Sequence, residues 1–231
     1  MGGREFLDTP GPVRPGEELD AARLGMYLPG VLPGLPAGPL EVRQFPSGYS
    51  NLTYLVRLGT RALILRRPPV GVEIATAHDM GREYRILSHL HPVYDKAPRP
   101  LAFCDDPAVL GAPFYIMERV QGVILRKGIP EGMVPGPELT ARIADELVRT
   151  VAELHAVDFE AAGLGDLGRP EGYATRQIEG WTKRYRRAET DEVPEADKVA
   201  AWLRDAIPER SRAALIHNDF KHDNVVLDPN D

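Results

Sequence analysis

A chain of 231 residues with 43% apolar and 27% charged residues has the proportions of a globular protein, which excludes a disordered chain and allows one large domain or two small ones. Its net charge of -6, without a basic tract, argues against nucleic acid as a partner and against a polybasic membrane anchor. No run of about 18 apolar residues suggests a membrane span, no apolar segment with a cleavage site opens the chain, and the one cysteine, Cys104, cannot form an internal disulfide and reads as a buried thiol in a reducing cytoplasm.

In chain order, residues 1–16 are rich in Pro and Gly and read as loose or draped on the surface. Leu19, Leu24, Tyr27 and Leu28 recur at helical spacing and predict a short amphipathic helix over Glu17 to Leu28. The Pro- and Gly-rich run from Pro29 to Pro39 then reads as a stop and a semi-stiff linker. Three strands follow, Leu40 to Phe45, Thr53 to Leu58 and Ala62 to Arg66, the last two joined by a tight turn at Gly59-Thr60. The tip between the first two holds Ser47, Gly48, Ser50 and Asn51, a loop able to offer backbone N–H groups and hydroxyls to phosphate.

Arg66 ends the third strand, where kinases place the cation that grips nucleotide phosphates. The helix predicted over His78 to Leu90 carries Glu83, able to clamp that cation. A fourth strand is expected over Ala97 to Cys104 and a fifth over Phe114 to Val120, leading into Gln121-Gly122. Such a strand and connector suit a nucleobase: backbone groups near Glu118 and Val120 would pair with it, and Met117 and Leu65 would pack on it. A long core helix is predicted over Glu138 to His155, with Leu139, Ile143, Leu147, Val151 and Leu154 on one face. Two more helices are expected, over Tyr173 to Ala188 and Glu195 to Ile207; the first holds a basic cluster, Lys183 to Arg187, read as a solvated face or a contact for an anionic tail.

The most informative stretch is Ala213 to Asp228. Two short apolar runs, Ala213 to Ile216 and Val225 to Leu227, read as buried strands around a polar loop. Within it His217, Asp219 and Asn224 keep the His-x-Asp-x-x-x-x-Asn spacing of the kinase catalytic loop. A carboxylate at Asp219 can take the proton of an attacking hydroxyl. A neutral amide oxygen at Asn224 is a hard ligand for Mg²⁺ that adds no negative charge near phosphate. Lys221 is able to neutralise a moving phosphoryl group. Singly, Arg66 reads as a strand-end charge and Glu83 as a solvated helix charge; as an ordered set ahead of the His217 loop they read as an ATP site.

The stretches Gln44 to Tyr54, Leu65 to Pro69, His78 to Tyr84, Gly111 to Glu118 and His217 to Asn224 together resemble the aminoglycoside phosphotransferase family, in the branch associated with acyl-CoA dehydrogenases. That resemblance implies an α+β, protein-kinase-like two-lobed fold, with a small antiparallel-sheet lobe and a helical lobe. The expected division is an N-terminal extension over residues 1–39, a nucleotide-binding sheet and helix over 40–120, and a partial helical lobe with the catalytic loop over 121–231. By the same resemblance Asp219 is the catalytic base, Asn224 the Mg²⁺ ligand, Arg66 the phosphate-binding cation and Glu83 its partner, while His217 braces the loop. The implied activity is ATP-dependent phosphorylation of a hydroxyl on a small molecule, a hydroxy acid or hydroxyacyl-CoA among the candidates.

The second metal-binding Asp of such kinases lies further on than Asp228 and Asp231. The chain therefore reads as C-terminally truncated, and a catalytically impaired nucleotide-binding fragment is the alternative function. A metal-dependent hydrolase built on His217, Asp219, His222 and Asp223 is a third reading, disfavoured because four ligands crowded into one loop rarely converge on one ion.

Overall fold

The structure, a computed structural model, describes residues 6–46, 51–69, 79–126, 128–130, 132–209 and 212–229. They form two compact units, one of residues 1–154 with 217–231 and the other of residues 155–216.

The first unit is built on an antiparallel sheet of β1 (Leu40–Gln44), β2 (Leu52–Leu58), β3 (Arg61–Arg67), β4 (Pro100–Cys104) and β5 (Phe114–Glu118), in the order β1-β2-β3-β5-β4. Three helices accompany it: α1 (Ala21–Val31), α2 (Met80–Leu90) and the short α3 (Pro107–Leu110). Directly opposed residues of antiparallel strands share a face, and alternate residues of one strand do not. Leu65 lies opposite Tyr54 and Ile116, and Leu63 opposite Val56. With Leu24 and Leu28 of α1 and Leu110 of α3, these residues make the main core. The other face carries Phe45, Leu55 and Ile64, with Met117 packed against them. Arg66 belongs to this second face, opposite Tyr115, and α2 packs on the same side through Tyr84, whose ring lies 5.7 Å from Phe103 and 6.5 Å from Tyr115. The two-residue period therefore corrects one expectation: Leu65 is fully buried in the main core, on the face away from Met117, and the two cannot pack on one base.

Three other expectations change. The first helix starts later and runs further than Glu17 to Leu28, because Asp20 caps it by accepting the Arg23 N–H at 2.9 Å. Pro29 sits inside its last turn without ending it, since proline removes only its own amide there and Leu32 N–H still reaches Leu28 O at 2.8 Å. The N-terminal stretch is not loose where it is described. Gly11 and Gln44 exchange backbone hydrogen bonds of 2.8 and 3.0 Å, extending the sheet past β1. The buried Gln44 side chain accepts the Arg14 N–H at 2.8 Å, and the Tyr54 hydroxyl donates to Glu17 O at 2.7 Å. Burial pushes the Tyr54 hydroxyl up to about 12, so it stays a donor.

The runs flanking the polar loop are the third change. Ala213 to Ile216 is irregular, and of Val225 to Leu227 only Leu227 pairs, in an isolated bridge to Val123 with both hydrogen bonds at 2.9 Å. β-Branched runs become strands only beside a partner, and one bridge is all that the described residues supply.

α4 (Pro137–Ala156) forms as the periodicity predicts, yet of its apolar face only Leu154 is fully buried. It is held by the Tyr94 hydroxyl, which donates to Thr150 O at 3.1 Å, and by Lys96 paired with Glu153 at 2.6 Å. In the second unit α5 (Tyr173–Ala188) and α6 (Pro194–Asp205) pack on each other. The basic cluster of α5 is partly committed: Arg184 lies 4.7 Å from the Trp181 ring centre, and Arg186 pairs with Glu189 and Asp197.

Truncating Leu65 to Ala removes a fully buried side chain from the main core. The expected loss is about 2–5 kcal/mol of unfolding free energy by urea denaturation. Met26→Ala, on the exposed side of α1, is expected to stay within about 0.5 kcal/mol of the parent.

Candidate active site

Two groups of polar side chains stand out in the first unit. The first gathers on Glu83. Because β3 and β5 are antiparallel with Arg66 opposite Tyr115, both side chains rise from the sheet toward α2, and Glu83 in the first turn of α2 meets them. The Glu83 carboxylate lies 3.3 Å from Arg66 Nη1 and accepts the Tyr115 hydroxyl at 3.0 Å. Its other oxygen accepts the Asn51 side-chain amide at 2.7 Å. Arg66 Nη1 also lies 3.3 Å from the Tyr115 oxygen. Two strand residues, Arg66 and Tyr115, and Asn51 just before β2 thus converge on one helix carboxylate. Burial raises the Tyr115 hydroxyl, with Glu83 adding to it against the pull of Arg66, so the phenol stays protonated and donating. For Arg66, burial works against the charge, but Tyr115 and Glu83 outweigh it and the net direction is upward. The guanidinium is only partly satisfied. Arg66 Nε is buried and has no hydrogen-bond partner among the described residues, a costly state for a cationic donor.

The second group is the polar loop. Asn218 adopts φ of 65°, a left-handed conformation that Asn tolerates better than most residues. That turn separates His217 from Asp219 while letting the Asp219 N–H reach His217 Nδ1 at 3.3 Å. The His217 ring meets Phe220 edge-on at 5.8 Å. A single 3-10 turn, His222–Asn224, brings the Asn224 amide back onto Asp219, where its nitrogen donates to the main-chain oxygen at 2.8 Å and to the carboxylate at 2.9 Å. The Asn224 side-chain nitrogen is thus the atom turned onto Asp219. Lys221 Nζ lies 3.2 Å from the other Asp219 carboxylate oxygen. Lys221 and then Asn224 hold the exposed Asp219 carboxyl below the usual carboxylate range. The loop is tied to the sheet side through the bridge between Leu227, just past Asn224, and Val123, just past β5. Gly122 is needed there, because a Cβ would run into the Leu227 carbonyl.

Against the expected set, the structure brings Arg66, Glu83 and Asn51 together, and Asp219, Lys221 and Asn224 together. Ser47, Gly48 and Ser50 lie outside the described residues. Asn51 is buried with its amide on Glu83. Met117 is half-buried beside Ile64 and Phe45. Glu118 has its N–H committed to Arg99 O at 2.9 Å, and its carboxylate lies 3.7 Å from Arg99 and 3.9 Å from Arg61. Val120 is 53% exposed at the head of the connector. Sequence reasoning missed Tyr115. The available signal was a tyrosine inside an otherwise apolar strand, since a buried phenol needs a hydrogen-bond partner. The described residues contain no group of three or more His, Cys, Asp or Glu side chains placed to hold a metal ion.

An antiparallel five-stranded sheet with a strand cation clamped by a helix glutamate, followed by helices and a His-x-Asp-x-x-x-x-Asn loop, defines a kinase-like α+β fold. The chain belongs to the phosphotransferase enzyme family, whose model matches residues 41–231. It is 36% identical over 220 residues to acyl-CoA dehydrogenase family member 10 of Mus musculus, covering 94% of this chain and 20% of that protein. It is 36% identical to acyl-CoA dehydrogenase family member 11 of Gallus gallus, covering 94% of this chain and 28% of the relative. The chain thus spans between a fifth and somewhat over a quarter of these relatives. Among solved structures, a candidate aminoglycoside phosphotransferase from Ralstonia eutropha is similar with a TM-score of 0.76 and 36% identity, over 92% of this chain and 63% of that one. The fold also matches, at a TM-score of 0.59 and 18% identity, a thermostable mutant of aminoglycoside phosphotransferase APH(4)-Ia solved with AMP-PNP and hygromycin B, over 89% of this chain and 67% of that one.

Lys221 is the first cause of the lowered Asp219 titration. Carbon-detected NMR of the Asp219 carboxyl should find its midpoint below the value of about 3.9 for a free aspartate. Because the lowered value reflects stabilisation of the carboxylate, Lys221→Ala should move the midpoint upward. An unmoved midpoint would show that the Lys221 contact does not persist in solution.

Proposed function

We propose that this chain binds MgATP and directs transfer of a phosphoryl group to a hydroxyl of a small molecule, with Asp219 as the catalytic base. The observation that carries this reading is Arg66 clamped by Glu83, its Nε without a partner among the described residues, in a chain whose polar loop holds Asp219 and Asn224 in fixed mutual geometry. A phosphate oxygen is the kind of acceptor that a half-satisfied guanidinium selects. Glu83, itself oriented by Tyr115 and Asn51, fixes the direction in which Arg66 presents its charge. The Ser47, Gly48 and Ser50 backbone and hydroxyls, the connector around Met117 and Val120, and the Glu118 carbonyl complete the nucleotide side of the proposal.

On the acceptor side, Asp219 is an exposed carboxylate whose titration Lys221 and Asn224 lower further. It orients the acceptor hydroxyl and takes its proton as the new oxygen–phosphorus bond forms and the bond to the departing ADP oxygen breaks. The Asn224 side-chain oxygen, a hard and neutral ligand, suits Mg²⁺, which when bound would offset charge on the phosphate oxygens. Lys221 stands beside the proton acceptor as a second positive charge. Catalysis of this kind rests on positioning and electrostatics more than on covalent work by the protein.

The relatives named acyl-CoA dehydrogenase family members direct the acceptor search to hydroxyacyl-CoA thioesters and hydroxy acids. The phosphotransferase solved with hygromycin B adds aminoglycosides as a comparison set. The medium is the cytoplasm, in keeping with the free, buried thiol of Cys104.

ATP turnover with these acceptors tests the proposal. Asp219→Ala should lower kcat by about 10²–10⁴-fold with nucleotide affinity kept, whereas Arg66→Ala should raise the KM for ATP by about tenfold or more. Nucleotide binding without transfer to any acceptor would leave the chain as an inactive nucleotide-binding module. A folded chain with no affinity for millimolar MgATP would end the reading altogether.

A further inference from the structure

The N-terminal stretch is joined to the connector after β5 by more bonds than a passing segment requires. The Asp8 N–H donates to Gly122 O at 3.0 Å. The Asp8 carboxylate accepts two bonds from Arg126, from Nε at 3.0 Å and Nη2 at 2.7 Å, with both side chains largely withdrawn from solvent. The Asp8 main-chain oxygen accepts Arg119 Nη2 at 3.1 Å. The Arg119 guanidinium in turn lies 5.8 Å from the centre of the Phe45 ring, just past β1. One residue therefore touches the connector at Arg119, Gly122 and Arg126, and reaches through Arg119 to Phe45. The next residues continue the attachment, since Gly11 pairs with Gln44 on both sides.

These contacts differ in kind from a solvated surface pair. A two-pronged guanidinium–carboxylate contact fixes orientation as well as distance. Because both partners are mostly covered, loss of one leaves the other charge poorly compensated. The connector's other ties among the described residues run to Leu227. Val120 is exposed, and Val123 is held by its bridge to Leu227.

We infer that Asp8 is a positioning residue for nucleotide binding: it braces the connector from Arg119 to Arg126 so that the backbone facing the nucleobase is preset before ligand arrives. The inference rests on the proposed function, because it assigns the nucleobase to that connector. Asp8 touches no substrate. It acts through Gly122, Arg119 and Arg126, and a preset connector spares the ligand the cost of ordering it. The brace ties a segment outside the sheet to its far end, so the N-terminal stretch becomes part of the nucleotide side instead of a leader to it.

The test uses the full chain, its Asp8→Ala variant and Arg126→Lys, which keeps the charge but loses the paired geometry. Affinity for MgATP is measured by calorimetry, and amide hydrogen exchange is read at Val123 and Asp8. Asp8→Ala is expected to weaken nucleotide about tenfold, to raise the KM for ATP with kcat and acceptor KM held, and to speed exchange at Val123. Arg126→Lys is expected to do the same to a smaller degree, and it decides the matter if Asp8→Ala does not fold. Unchanged nucleotide affinity in a folded variant overturns the inference, as does a loss of kcat without a change in the KM for ATP. Should the unmodified chain bind no MgATP, the proposed function fails. Exchange at Val123 then judges the brace alone: faster exchange in the variants sustains it, and equal exchange overturns it.

Discussion

A carboxylate drawn in among the elements of a sheet and a helix is tolerable only if its hydrogen-bonding capacity is filled, and Glu83 meets that condition from three directions. Arg66 comes from β3, Tyr115 from β5 and Asn51 from the residue before β2. The arrangement fixes the register of these strands against α2, because a slip by one residue would turn Arg66 and Tyr115 into the opposite, apolar face. It also leaves one donor, Arg66 Nε, buried without a partner among the described residues. Such a donor is a cost to the fold.

The polar loop is held by a different principle. Its groups are exposed, so burial does little to position them. Instead the backbone turns sharply at Asn218, a 3-10 turn returns Asn224 to Asp219, and short hydrogen bonds close the loop on itself. Local bonding lowers the titration of Asp219 here, through Lys221 and Asn224. The single bridge between Val123 and Leu227 carries this locally closed loop onto the sheet side of the unit. Gly122 allows the approach, and Asp8 holds the same connector from the other side.

Much of this was legible in the chain. Alternation located all five strands to within a few residues, and helical periodicity located α2, α4, α5 and α6, because period and burial are coupled wherever one face of an element is covered. The pairing of Arg66 with Glu83 was readable from order and residue type, and the grouping of Asp219, Lys221 and Asn224 from spacing. Other features had no local signal. Asp8 looks like any charge in a Pro-rich leader, and its partners Arg119, Gly122 and Arg126 are distant in sequence. Tyr115 looked like core. Ala213 to Ile216 and Val225 to Leu227 looked like buried strands, because composition records a strand's preference and not whether a partner is present.

What the amino-acid order settled unaided were the features governed by near neighbours: the strand and helix periods, the placing of His217, Asp219 and Asn224 at fixed spacing in one polar loop, and the resemblance to a kinase-like family. What awaited the folded chain were features governed by who lies across the sheet: that Leu65 faces the core while Arg66 faces α2, that Tyr115 and Asn51 share Glu83, and that the N-terminal stretch grips the connector after β5. The physical reason is that period and turn chemistry act within a few residues. Buried charge instead selects its partners by distance in space, and a linear pattern does not encode that distance.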